Sequence, residues 1–140
     1  MMRDNSRRVV VVDDDAAVRE SLAFLLETAG YMVESFASAP LCLTALQPAA
    51  VTCLVVDQHM PEMTGLEFLA ELHRQGIDLP ALLITGSPSP DLLRRAAALR
   101  VCQVMAKPLA EDTLLRFVAS AAQSGSPSVS GPGPTDLDWR

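Results

Sequence analysis

At 140 residues, with 49% hydrophobic and 20% charged side chains, the chain is long enough for one well-buried core and too apolar for a disordered polymer. Its net charge of -6 argues against a nucleic-acid surface, which carries a basic stripe. No apolar run has the length of a membrane span, and "MMRDNSRR" has no apolar segment behind its basic residues, so a cytoplasmic protein is expected.

Residues 9–12, four valines, read as a strand buried on both faces. Three carboxylates follow at Asp13, Asp14 and Asp15. Val18, Leu22, Leu25, Leu26 and Ala29 then fall at helical spacing, with Gly30 as the stop. A second strand is expected at 31–36, and Ser38 with Pro40 starts a helix that runs through Leu46. The cycle repeats with a strand at 53–56 ending on Asp57. The stretch "TGLE", from Thr64 to Glu67, has the spacing of a capping box and opens a helix that stops at Gly76. A fourth strand at 81–84 ends at Thr85, and Ser89-Pro90-Asp91 opens a helix through about Leu99. A fifth strand at 101–105 ends just before Lys107-Pro108, and the last helix spans 111 to about 122. Alternation of this kind predicts an α/β fold, a parallel sheet with helices on both faces. The Ser/Gly/Pro-rich stretch from 123 to 140 has no apolar period and reads as a flexible tail. It holds the lone Trp139, read as part of an unstructured end rather than a docking anchor. Cys42, Cys53 and Cys102 are widely spaced among apolar residues with no CxxC pair, so buried structural thiols are expected.

The polar residues fall at strand ends: Asp13, Asp14 and Asp15 after the first strand, Asp57 at the third, Thr85 at the fourth and Lys107 at the fifth. In an open parallel sheet the carboxyl ends of the strands share one edge, so these groups should converge in one crevice. Carboxylates without His or Cys suit a hard, oxygen-seeking ion such as Mg²⁺. A carboxylate there can act as a nucleophile toward a phosphoryl group, with Lys107 offsetting its charge and Thr85 donating a hydrogen bond.

At these residues the sequence resembles the receiver domain of bacterial two-component response regulators. The marks are "VVDDD", "LVVDQHMPEMTGLEFL", "LLITGS" and "MAKPL", and "DDDAAVRESLAFLLETAGY" is most like receivers of the nitrogen-fixation and nodulation regulators. The resemblance implies a doubly wound, flavodoxin-like (βα)5 fold with strand order 2-1-3-4-5. It implies an arm at 1–6, a receiver domain at 7–122 and the tail at 123–140. It makes Asp57 the acceptor of a phosphoryl group from a histidine kinase's phosphohistidine. Asp14, Asp57 and the backbone carbonyl of His59 would ligate Mg²⁺, and Asp13 would act through a metal-bound water. Lys107 would pair with the phosphoryl group, Thr85 would swing toward it, and Pro61 and Gly65 would shape the loop after the acceptor. Asp15 is left as the cap of the first helix. Repulsion among the acids should raise some of their pKa values until a cation binds.

The chain departs from the family pattern at Val104, where receivers usually carry an aromatic residue whose rotation accompanies the Thr movement. It departs again at Arg100-Val101, which replaces a small-residue step and puts a cationic side chain at the exit of the fourth helix. His59 is expected to overhang the pocket and tune phosphoryl lifetime, against the alternative of an exposed His with no such role, and His73 to lie on the surface. The expected partners are a sensor histidine kinase or phosphotransfer protein and a downstream protein on the face of helix four, strand five and helix five. A phosphorylation-dependent homodimer is also compatible; a membrane or nucleic acid bound directly is not expected. The chain is read as a signalling module rather than an enzyme, its only chemistry being transfer to, and hydrolysis from, its own Asp. Two alternatives stand beside this: the receiver half of a DNA-binding regulator, and a haloacid-dehalogenase-like phosphatase suggested by Asp13-x-Asp15.

Overall fold

The computed structural model describes residues 8–123. The arm at 1–6 and nearly all of the Ser/Gly/Pro segment, Trp139 included, lie outside them. Five strands alternate with five helices: β1 (Arg8–Val12), α1 (Ala16–Thr28), β2 (Met32–Phe36), α2 (Ala39–Ala45), β3 (Cys53–Asp57), α3 (Gly65–Arg74), β4 (Ala81–Thr85), α4 (Pro90–Ala98), β5 (Gln103–Ala106) and α5 (Glu111–Gln123). A 3-10 turn at Pro48–Ala50, where Pro48 occupies the first turn, precedes β3 and was not expected from the sequence. All pairings are parallel and the order is β2-β1-β3-β4-β5. The predicted α/β architecture and strand order are therefore present.

Strand side chains alternate between two cores. Val10, Val12, Leu54, Val56 and Leu83 face α2, α3 and α4, where Cys42, Leu66, Phe68, Leu72, Leu92 and Ala96 meet them. Val9, Val11, Val55, Leu82 and Ile84 face the other way, onto Leu22 and Leu26 of α1 and Leu114, Phe117 and Val118 of α5. Because β1 and β3 are central, all four valines of β1 are wholly buried, as their unbroken apolar run requires. Burying each such side chain is worth about 1.5–3 kcal/mol before entropy is counted.

Helix starts follow the sequence. Asp15, Ser38, Thr64 and Ser89 each accept a backbone N–H of the first turn, and Thr64 with Glu67 completes the capping box. Helix ends explain where strands begin. α1, α3 and α4 close with one pair of bonds: Gly30 N to Glu27 O and Tyr31 N to Leu26 O; Gly76 N to His73 O and Ile77 N to Leu72 O; Arg100 N to Ala97 O and Val101 N to Ala96 O. The residue after the turn is thus tied back to its helix. This is why β2 begins at Met32 rather than Tyr31, and β5 at Gln103 rather than Val101. The turn needs a positive φ, and Gly30 (101°) and Gly76 (79°) supply it, whereas Arg100 adopts 64° with a side chain.

The cysteine expectation needs one correction. Cys42 and Cys53 are buried, which pushes their thiols up to about 12, but Cys102 is exposed. It sits between the α4 turn and an edge strand, where no further strand covers it.

Candidate functional site

The sheet ladder continues by one bond past three strand ends and thereby carries the polar residues to one edge. Asp13 N donates to Phe36 O (3.1 Å), Gln58 N to Ile84 O (2.8 Å) and Lys107 N to Thr85 O (2.9 Å). Ligand oxygens of Asp13, Asp14 and Asp57 consequently lie within 4.8 Å of one another, although their residues come from two strands. Lys107 Nζ stands 3.1 Å from Asp57 Oδ1, an ion pair whose geometry is not that of a hydrogen bond. The Lys107–Pro108 peptide is cis.

Two of the three acids are inside the protein. Asp13 is 1% and Asp57 2% exposed, whereas Asp14 is open to solvent. Asp13 Oδ1 accepts the Asp15 N–H at 2.9 Å, but its buried Oδ2 has no hydrogen-bond partner. Burial pushes the Asp13 carboxyl above its ordinary 3.8; the Asp15 amide and Lys107 pull it back, and the charges of Asp57 and Asp14 add to the rise. Partial burial acts to lower Lys107, but contact with Asp57 and the charges of Asp57, Asp13 and Asp14 outweigh it, so its net shift is upward. A pocket of oxygen donors with one buried oxygen unpartnered fits a small hard cation and offers nothing to a soft one.

Asp15 does not join the cluster. Its Oδ1 accepts from Ala17 N (2.9 Å) and Val18 N (3.3 Å), so the side chain caps α1 as expected. That commitment leaves the Asp13-x-Asp15 pair without a shared pocket and removes the basis of the phosphatase alternative.

Thr85 is fully buried at the end of β4, and its Oγ1 accepts the Ser87 N–H at 3.0 Å. The same oxygen lies 3.0 Å from Nε2 of the exposed His59. The hydroxyl is therefore engaged with the loops above the sheet rather than with Asp57 or Lys107. Gly65 packs so closely that a Cβ would come 2.7 Å from Asp57 O and 2.7 Å from Leu83 Cδ1. Pro61 lies on the exposed bend between Met60 and Thr64. Val104 is half-buried, pairs in register with Leu83 and packs on the α2-α3-α4 core. His73 is exposed, as expected.

Two residues that hold the site were not anticipated. Arg19 Nη1 donates to Asp13 O at 2.8 Å and braces the acidic loop from the first turns of α1. Gln58 Oε1 accepts from Leu66 N (2.9 Å) while Gln58 O accepts from Gly65 N (3.0 Å), pinning α3 against the residue after Asp57. Nothing in the sequence marks either one, because an Arg on a helix and a Gln after a strand ordinarily face solvent.

Compared with known proteins, residues 9–119 match the family model described as the response regulator receiver domain. The chain belongs to this family. It is 36% identical over 121 residues to the transcriptional regulatory protein FixJ of Bradyrhizobium diazoefficiens, covering 86% of this chain and 59% of that one. Among solved structures it is similar to FixJ-N (31% identity, TM-score 0.75, covering 87% of this chain and 96% of that one). It is also similar to the Vibrio cholerae chemotaxis protein CheY4 (30% identity, TM-score 0.75, covering 81% and 97%). The fold is thus that of CheY-like receivers, of the FixJ-like type, and the chain spans a little over half the length of the curated relatives it matches. Receiver domains serve signalling, between histidine kinases and downstream effectors. Among the described residues no helix is long and apolar enough to cross a membrane.

Proposed function

We propose that this receiver domain takes a phosphoryl group onto Asp57 and uses it to alter a protein-binding surface. The observation that carries this reading is the meeting of three carboxylates within 4.8 Å, one of them 3.1 Å from an ammonium group. Asp14, Asp57 and the His59 carbonyl would hold Mg²⁺, with Asp13 acting through a water. When bound, the ion offsets the charge of the acids and of the incoming phosphoryl group. An Asp57 oxygen attacks phosphorus while the P–N bond of a donor phosphohistidine breaks, the electron pair leaving with the imidazole nitrogen. Lys107 is already beside Asp57 and needs only a small movement to reach a phosphoryl oxygen. Burial of Asp57 limits water's access to the acyl phosphate, so hydrolysis from the same Asp follows as a slower step. Pro61 and Gly65 shape the loop after the acceptor, where Gly65 lets α3 pack directly against the Asp57 backbone.

The donor is a sensor histidine kinase or phosphotransfer protein in the cytoplasm. The output surface is the face of α4, β5 and α5, which binds a downstream protein or a second copy of the chain. A second reading, the receiver portion of a DNA-binding regulator, is favoured by the transcriptional regulatory proteins among the relatives, of which the chain spans only 59% and 54%. The test is to incubate the chain with Mg²⁺ and acetyl phosphate and weigh it. One added phosphoryl group, absent in Asp57→Asn, is expected. No adduct and no beryllofluoride binding would overturn the assignment.

A further inference from the structure

Thr85 has one hydroxyl proton and two acceptor lone pairs. One lone pair is taken by Ser87 N–H, and the second contact, at 3.0 Å, is with His59 Nε2. For Thr85 to donate to a phosphoryl oxygen, the hydroxyl must turn, and one of these contacts must open or change polarity. The Ser87 partner is backbone, two residues along the same loop. The His59 partner is an exposed side chain on a stretch without helix or strand, free to rotate without disturbing the core. Val104, on the same sheet face and two register steps below the Thr85–Ala106 pair, is β-branched and packed, so it has no comparable swing.

We propose that His59 is the positioning residue that holds Thr85 in its resting orientation, and that release of its imidazole takes the place of a side-chain swing at Val104. The inference rests on the phosphoacceptor reading above. It assigns the side chain of His59 a role separate from that of its backbone carbonyl. With the hydroxyl proton given to His59 Nε2 in the resting protein, phosphorylation withdraws it, and the ring nitrogen loses its donor. With the opposite polarity, Nε2–H loses its acceptor as the oxygen turns away. Either way the environment of one named nitrogen changes with the state of Asp57. Breaking this contact opposes activation, so its loss should favour the phosphorylated form by the worth of one ordinary hydrogen bond, about fivefold in an equilibrium constant.

The chain has only two histidines, which makes the measurement direct. The full chain is labelled with ¹⁵N-histidine and titrated at fixed pH with beryllofluoride and Mg²⁺, bound fluoride being followed by ¹⁹F resonance. The expected result is a shift of the His59 Nε2 signal on loading and none for His73 on α3. In Thr85→Val the His59 signal should already be displaced at rest and move far less on loading. His59→Ala, which keeps the backbone carbonyl, should bind beryllofluoride about fivefold more tightly. Bound fluoride with an unmoved His59 signal would overturn the inference while leaving Asp57 as acceptor. An undiminished shift in Thr85→Val would overturn it too, by making the contact one between His59 and the phosphoryl analogue. Unchanged or weaker beryllofluoride binding by His59→Ala would likewise count against it. If no fluoride binds at all, the acceptor reading fails and this inference with it.

Discussion

Gly65→Ala probes how the backbone, rather than any charged side chain, builds the acidic pocket. Gly65 is the first residue of α3, and a Cβ there would lie 2.7 Å from Asp57 O, 2.7 Å from Leu83 Cδ1 and 3.1 Å from Gln58 Cα. The leucine methyl can turn aside, but two of the three obstacles are backbone atoms of the acceptor strand and its exit. Overpacking of this kind costs about 1–3 kcal/mol. Alanine's better helix propensity is worth about 1 kcal/mol in a helix interior and only a fraction of that at the first helical residue, leaving a net loss of about 1–2 kcal/mol. In urea that is a drop of about 1 M in midpoint, and in heat about 4–8 °C. Gly76→Ala is the control: nothing lies within 4 Å of its Cβ, but its φ of +79° makes a side chain cost about 1–2 kcal/mol. Both variants should therefore lose similar stability, yet only Gly65→Ala should also weaken Mg²⁺ binding by calorimetry, because only its Cβ displaces Asp57. A Gly65→Ala protein as stable as its parent, or equal loss of Mg²⁺ affinity in both variants, would refute the reasoning.

Arg100→Gly should raise stability by about 0.5–1 kcal/mol in urea unfolding, since glycine meets the positive φ of 64° that arginine holds at a cost; a lower midpoint would mean the arginine makes up for its backbone. Arg19→Gln should weaken Mg²⁺ binding about tenfold by calorimetry while leaving the far-UV spectrum intact, because the brace on Asp13 O is lost; unchanged affinity would count against that bracing. In metal-free buffer the Asp13 carboxyl, raised above 3.8, keeps a proton in the folded chain that the unfolded chain releases, so it removes stability as pH climbs from the unfolded value through the raised one. Asp13→Asn should abolish that fall and be the more stable protein at neutral pH without metal, while binding Mg²⁺ about 10–100-fold more weakly. A stability difference that does not vary with pH would contradict the assigned cause.

Local sequence was enough for the alternation of elements, the buried strand of four valines and the four helix caps. Each follows from interactions within a few residues: apolar period, missing β-carbon or a side-chain oxygen near a free N–H. It also determined that the polar groups lie at strand ends, and the motif resemblance supplied the strand order that brings those ends together. Tertiary structure decided the rest. Strand starts moved where Tyr31 and Val101 bond back to a helix, since the closing turn outweighs β propensity. Cys102 came out exposed because an edge strand leaves one side uncovered, and edge position is invisible in a local apolar pattern. That Asp13 is buried and Asp14 exposed depends on which way one loop turns as it leaves the sheet. The brace from Arg19, the lock from Gln58 and the contact of His59 with Thr85 join residues 6, 8 and 26 positions apart. A distance along the chain says nothing about such a meeting until the sheet has set the strands side by side.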